Sequence, residues 1–273
     1  MKNKRLIIIL SVFAFLVLIA VLCSAVFTVK KVSLNWLTTK VIITDPDETF
    51  TTDVEKGESV FLVDKEAIIN KLENKYPYLK VVSVEVKFPN KLVIHTAERQ
   101  ELYSLKIRDD KHAILDADCK VLRFASDSEL NKIDVKPIPL TLVGYSISEE
   151  NLAISQIANL GWVKNVLANF SIALYSSGYH EIDAKNNIES ISVDVSGYEN
   201  KILVNMDYQD ISGEGGVQIE IEQVSEKLIE KFMFAVELYD NTLTEQQRTE
   251  GKIKVYLSNG VVDGYYEPPQ NNE

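Results

Sequence analysis

Gly57-Glu58-Ser59-Val60-Phe61-Leu62-Val63-Asp64, running on through Lys65-Glu66-Ala67-Ile68-Ile69-Asn70-Lys71-Leu72 to Tyr76-Pro77, is the stretch from which the fold is read. Asp64 stands where a helix N-cap belongs, since its short carboxylate accepts from a backbone N–H in the first turn. Behind it Ala67, Ile68, Ile69, Leu72 and Tyr76 recur at helical spacing. Pro77 ends the run, because it has no N–H to continue the ladder. One apolar face is thus offered to whatever lies beneath, and the next segments supply it. Val82, Val84, Val86 and Phe88 alternate with Ser83, Glu85 and Lys87, and Leu92, Ile94 and Thr96 alternate with Val93, His95 and Ala97. Period two is the mark of half-buried strands. Pro89-Asn90 between them presets one φ and tolerates a positive φ at the next position, which predicts a hairpin. Upstream, Lys40 to Ile43 reads as a strand before a turn-rich gap. The predicted order over residues 40–99 is strand, helical turns, helix, strand, strand.

That order, the Gly57-x-Ser59-x-Phe61-x-Val63-Asp64 phrase, Tyr76-Pro77, the Phe88-Pro89-x-x-Leu92-x-Ile94 turn and Glu98-Arg99 together resemble the POTRA domain of the bacterial cell-division family FtsQ/DivIB. The resemblance implies an α+β fold: a single N-terminal transmembrane helix, a POTRA-like β-α-α-β-β domain, then a β-rich domain with flanking helices. The expected boundaries are a cytoplasmic N-terminus over residues 1–5, a transmembrane helix over 6–29 and a linker over 30–39. The POTRA-like domain takes 40–99, the β domain 100–266 and a C-terminal tail 267–273.

The transmembrane expectation also stands on composition. Residues 6–29 carry no charge and are dominated by Leu, Ile, Val, Phe and Ala. At about 1.5 Å per residue such a helix spans roughly 36 Å, enough for a hydrocarbon core of about 30 Å with some tilt. Lys2, Lys4 and Arg5 precede it and Lys30 and Lys31 follow, a slight bias toward a cytoplasmic N-terminus. The rival reading is a cleaved signal peptide with Cys23-Ser24-Ala25 as its small-x-small site, but the apolar run is longer than an ordinary signal core.

The chain carries a net charge of −11, and with three basic side chains before residue 30 the remainder is more acidic still. Such an ectodomain is expected to be poorly suited to nucleic acid or to anionic lipid surfaces. Hydrophobic residues make up 46% of the chain, ample for a core divided between two small domains. Cys23 lies in the apolar run and Cys119 stands alone beyond it, so no intrachain disulfide is expected in the part beyond the run.

Beyond Arg99 the pattern becomes mostly β. Leu102–Ile107, His112–Leu115 and Lys120–Phe124 predict a three-strand meander, with Asp116-Ala117-Asp118-Cys119 where the family has Asp-x-x-Gly. Cys119 therefore occupies a position where a glycine would meet a positive φ. Ser148 reads as the N-cap of a helix carrying Leu152, Ile154, Ile157, Leu160 and Val163. Ile188–Val195, Lys201–Tyr208 and Val217–Ile221 alternate as strands. The Ser212-Gly213-Glu214-Gly215-Gly216 loop has neither P-loop spacing nor a following Lys-Ser or Lys-Thr. Ser225 opens an amphipathic helix with Leu228, Ile229, Phe232, Met233, Val236 and Leu238.

Lys252–Leu257 alternates as a strand, Ser258-Asn259-Gly260 turns, and Val261–Tyr266 returns before Pro268-Pro269. Asn259-Gly260-x-x-x-Gly264-Tyr265 is similar to the C-terminal hairpin of the family, where the last strand and a neighbouring helix receive a partner's strand by edge addition. Carried over by position, the candidate partner-binding residues are Leu257, Asn259, Gly260, Gly264, Tyr265 and Tyr266, with Lys227 and Lys231 on the helix. The implied partners are FtsB (DivIC in Gram-positive bacteria) and FtsL, single-pass coiled-coil proteins, and possibly a septal wall synthase. The plainer alternative is a hairpin that closes the sheet with its tyrosines as packing residues.

Signals of catalysis are weak. His95, His112 and His180 are far apart in sequence and none sits in a metal-ligand spacing, so no metal, cofactor or catalytic residue is expected. The acidic clusters Asp45-Pro46-Asp47-Glu48 and Asp109-Asp110 fall in predicted turns, where solvated acids are ordinary. The resemblance implies a non-enzymatic divisome scaffold that links cell-division proteins at the septum and helps regulate septal peptidoglycan synthesis. Two other classes stay open: a membrane-anchored sensor or adhesion ectodomain, and an anchored wall enzyme with a convergent acid pair.

Overall fold

The computed structural model describes residues 10–18, 21, 26–38, 57–196, 200–207 and 215–269. The chain divides into two compact units, residues 1–99 and 100–273. Residues 10–18 are helical. Among the described residues no helix is long and apolar enough to cross a membrane. Residues 6–9, 19–20 and 22–25 of the expected 6–29 span, and the strand expected at Lys40–Ile43, lie outside them.

The first unit is a three-stranded sheet in the order β1-β3-β2, with β1 at Lys31–Trp36, β2 at Leu79–Lys87 and β3 at Lys91–Glu98. β1 runs parallel to β3, and β2 and β3 form the expected hairpin. Helix α1 (Lys65–Lys75) starts where the sequence placed it, with Asp64 Oδ1 accepting from Ala67 N–H at 3.0 Å. Leu72 buries against Leu79, Val81, Val84, Leu92 and Ile94. Two expectations are corrected. β1 lies in the stretch expected as a linker, where Val32, Leu34 and Trp36 alternate with Ser33 and Asn35. In addition, a bulge between Val81 and Ser83 shifts the phase of β2: Val81 and Val84 point inward, whereas Val82 is 51% exposed. A single inserted residue moves side chains to the opposite face.

Arg99, at the end of this unit, is buried and clamps helix to sheet. Its guanidinium donates to Glu73 Oε2 at 2.7 Å and to the Leu79 carbonyl at 3.4 Å, while Glu73 Oε1 accepts from Val81 N–H at 2.9 Å. The Glu98-Arg99 signature thus has a packing role.

The second unit is built on one nine-stranded sheet, ordered β12-β11-β10-β9-β8-β7-β4-β5-β6. Its strands are β4 (Tyr103–Arg108), β5 (Lys111–Leu115), β6 (Val121–Ala125), β7 (Ile138–Val143) and β8 (Ile188–Asp194), then β9 (Lys201–Met206), β10 (Gln218–Glu222), β11 (Lys252–Ser258) and β12 (Val261–Glu267). The helices are α2 (Asp127–Leu130), α3 (Val163–Ser176), α4 (Glu181–Asn187), α5 (Leu228–Asn241) and α6 (Glu245–Arg248). Parallel pairs β7–β8 and β10–β11 need crossovers, and α3 and α5 are the long helices in them. The two pack together through Phe170 and Phe232, whose rings meet edge to face at 4.9 Å. Ile191, Val193, Ile202, Val204, Ile219, Ile221, Ile253 and Val255 complete the core.

Cys119 has φ 61° and is fully buried, so the turn does impose the positive φ expected at this position. Asp116 Oδ1 holds the turn by accepting from the N–H groups of Asp118 and Lys120 at 2.9 and 2.8 Å. Burial first, then the Asp116 and Asp118 carboxylates, push the thiol up to about 12.

The helix expected after Ser148 does not form. Ser148 caps only the short 3-10 turn Glu149–Asn151, and the chain then runs irregularly, with Ser155 at φ 68°, until α3 begins at Val163. Leu152 and Leu160 are buried while Ile154 and Ile157 are about half exposed, so the apolar spacing belonged to an extended segment touching the sheet at two places. Ser225 is likewise not the cap of α5. Lys227, at φ 49°, takes that position without a side-chain cap.

Candidate partner-binding site

A sheet has two ends, and here they are treated differently. At the β6 end the chain covers the start of its own edge: Val121 N–H donates to the Gln156 carbonyl at 2.9 Å, and Ser155 N–H donates to the Val121 carbonyl at 2.8 Å. At the other end β12 pairs only with β11 among the described residues. An uncovered edge strand presents unpaired backbone donors and acceptors.

The hairpin that makes this edge is specified locally. β11 and β12 are joined by the two residues Asn259 and Gly260, with φ 52° and 77°. Two successive positive φ values suit the right-handed twist of a hairpin, and Asn-Gly is the pair that adopts them most readily. Lys227 Nζ donates to the Gly260 carbonyl at 2.9 Å, tying the start of α5 to the hairpin tip. Farther along β12, Gly264 faces Val255. A Cβ there would lie 2.5 Å from the Lys254 carbonyl oxygen and 3.1 Å from the Phe234 ring. Glycine is what lets α5 lie so close to the edge strand.

Between α5 and β12 runs an open groove of about 640 Å³. Met233, Phe234, Val261 and Val262 supply its apolar surface, and Glu230, Glu237 and Asp240 its acidic rim. Met233 is 43% and Val261 66% exposed. On the opposite sheet face Tyr265, 47% exposed, packs edge to face with Tyr256 at 6.3 Å.

The structure brings Lys227, Asn259, Gly260, Gly264 and Tyr265 to this edge, with Leu257 opposite Val262 beside the groove. It does not bring Lys231 or Tyr266 to a free surface. Lys231 is fully buried, and its ammonium donates to the carbonyls of Glu222 and Gln223 at 2.6 and 2.9 Å. Burial pulls its pKa down, opposed by Glu226 and Glu222. Tyr266 is half-buried and its hydroxyl donates to the Glu250 carbonyl at 3.0 Å. Met233, Phe234 and Val261 were missed as groove residues, although Met233 already stood out as a Met on an amphipathic helix.

A family model for the POTRA domain, FtsQ-type, matches residues 50–99. The cell division protein DivIB of Clostridium botulinum strain Hall is 25% identical over 214 residues, covering 77% of this chain and 78% of that protein. DivIB of the Loch Maree strain is 24% identical over the same extent. The chain is thus similar to the FtsQ/DivIB family over most of its length.

The second unit holds one other candidate. Ser104 Oγ lies 3.1 Å from His112 Nδ1, and His112 Nε2 lies 2.8 Å from Asp127 Oδ1, an order of groups that sequence spacing did not reveal. In a serine hydrolase the acid is buried and stabilises an imidazolium. Here the roles are inverted: Ser104 is the buried member, near the start of β4, and Asp127 is exposed at the first turn of α2. Its N–H is held by Asp110 Oδ1 at 2.8 Å. The trio ties β4, β5 and α2 together. His95 is a half-buried sheet residue bonded to Asn35 at 2.9 Å. Among the described residues no three His, Cys, Asp or Glu side chains are placed to hold a metal ion. The Asp45–Glu48 cluster and most of the Gly-rich loop lie outside them; β10, a strand, follows that loop.

Proposed function

We propose that this FtsQ/DivIB-like chain is a non-enzymatic divisome scaffold, held in the cell membrane by residues 6–29 with its N-terminus cytoplasmic, its two folded units outside and its place at the division septum. Its second unit binds an FtsB/DivIC-like partner, with FtsL, by adding a partner strand to β12 beside α5. Through this contact it couples cell-division proteins to regulation of septal peptidoglycan synthesis.

The observation that supports this reading is the edge itself. Among the described residues β12 is a seven-residue strand paired on one side only, while at the β6 end the chain's own 155–157 segment covers the start of the edge at Val121. The adjacent groove gives an added strand apolar pockets for alternate side chains, which is how strand addition acquires specificity. Tyr265 adds a ring that buries area at low entropy cost.

The test is the position of a fluorescent fusion of the full chain in dividing cells, with co-purification of a DivIC-like partner. Mid-cell enrichment that persists in wild type, with partner loss in Tyr265→Glu and Met233→Glu, supports the reading. Uniform envelope labelling of every version moves the weight to an anchored sensor ectodomain.

A further inference from the structure

Three aromatic rings from separate segments of the first unit meet at one end of its sheet. Phe27 and Phe61 have centroids 5.4 Å apart, Phe61 and Phe88 5.6 Å, and Phe27 and Phe88 6.2 Å. Such a cluster ordinarily fills a core. Here Phe61 is 64% and Phe88 63% exposed, and Leu62 beside them is 75% exposed. The backbone holds them in place: Val60 N–H donates to the Phe27 carbonyl at 2.9 Å, and Lys30 N–H donates to the Asn90 carbonyl at 2.9 Å.

The same end of the sheet is basic. Lys31 is paired with Lys91 and Lys91 with Lys87, which sets three exposed lysines side by side across all three strands, with Lys30 next to them. Like charges at paired positions destabilise a sheet, and of the row only Lys87 has a close acid, Glu85 at 2.7 Å, among the ion pairs of the described residues. The acidic balance of the chain does not oppose this. Residues 30–99 hold eleven acidic and eleven basic side chains, so the acidic excess lies entirely beyond residue 99. Phe27 belongs to the uncharged run 6–29, so the ring cluster is continuous in sequence with the segment read as the anchor.

We propose that this end of the first unit is seated in the membrane interface, with Phe61, Leu62 and Phe88 entering the headgroup–acyl boundary and Lys31, Lys87 and Lys91 meeting the phosphates of anionic lipids. Aromatic rings favour that boundary, and basic side chains beside an apolar wedge bind anionic leaflets. The seating would fix the tilt of the first unit on the bilayer instead of leaving it on a loose tether. It rests on the reading of residues 6–29 as a membrane anchor, and the experiment separates the two.

The full chain, with Cys23→Ser and with buried Cys119 left in place, is spin-labelled one site at a time at Leu62→Cys, Val12→Cys and the exposed Asp109→Cys. It is placed in nanodiscs of phosphatidylglycerol mixed with phosphatidylcholine, and collisions with oxygen and with a water-soluble nickel chelate are compared. The expected result is an oxygen-to-nickel ratio at Leu62 several-fold above that at Asp109. That ratio should fall in pure phosphatidylcholine and in the triple variant Lys31→Gln, Lys87→Gln, Lys91→Gln. A lipid-like Val12 label with a Leu62 label matching Asp109 in every lipid overturns the seating and leaves the anchor standing. A Leu62 label that is water-like in nanodiscs but shielded in isolated native membranes also overturns it, and assigns the rings to a protein partner. A water-like Val12 label removes the anchor, and the seating with it.

Discussion

Lys227 Nζ donates to the carbonyl of Gly260 at 2.9 Å, joining the left-handed residue at the start of α5 to the turn that makes the edge hairpin. Lys227 is substantially exposed and lies on the rim of the groove. Lys227→Ala frees the hairpin tip from the helix, and an exposed tie of this kind contributes under about 1 kcal/mol to folding. The expected outcome is weaker binding of a DivIC-like partner, measured by calorimetry on the full chain, with Tm nearly unchanged.

Lys231, one helical turn on, should behave in the opposite way. Its buried ammonium meets two carbonyls at the end of β10. Lys231→Met fills the space but leaves both acceptors unmet, at a cost of about 1–3 kcal/mol for each. A large drop in Tm is expected, with partner affinity per folded molecule retained. Loss of affinity at full stability would contradict the placement of Lys231 in the interior.

In the first unit, Arg99→Ala leaves Glu73, 16% exposed, without its guanidinium. Removing one member of a fully buried pair costs roughly 3–5 kcal/mol and of this partly exposed pair less, so the first unit's unfolding transition should move down. Glu73→Gln, which keeps an acceptor for Val81 N–H, should be the milder change.

Much of this was legible in the sequence, and the failures have physical causes. Asp64, Pro77 and the Asn259-Gly260 turn are local devices whose chemistry acts within a few residues, and each is found where it was read. The β2 phase was misread because period two says nothing of a bulge, and only packing under α1 decides that Val81 rather than Val82 turns inward. Strand β1 was passed over because its alternation begins directly after a long apolar run. Helix spacing after Ser148 described a segment pinned at Leu152 and Leu160, so periodicity alone chose the wrong element. At the site, the hairpin was readable but the burial of Lys231 was not, because its partners are the backbone carbonyls of another element.

Glu220 supplies a pH dependence. It is 8% exposed, and burial raises its pKa. The hydrogen bond from Lys252 at 2.9 Å and the charges of Lys252 and Lys201 outweigh that, leaving the net value below the ordinary 4.5. The folded state therefore binds this proton less readily than the unfolded chain. Its stabilisation is complete above the ordinary value and is lost as pH falls through the lowered one. Wild type should exceed Glu220→Gln in Tm at neutral pH, and the gap should close as the pH is lowered into the acid range below 4.5.

The most direct test of the account is hydrogen exchange across the full chain with and without a DivIC-like partner. Strand addition predicts slowed exchange confined to Val261–Glu267 and the facing turns of α5, with residues 121–125 at the opposite edge unchanged. Protection elsewhere, with β12 exchanging at its free rate, would contradict the claim that this edge is where the partner binds.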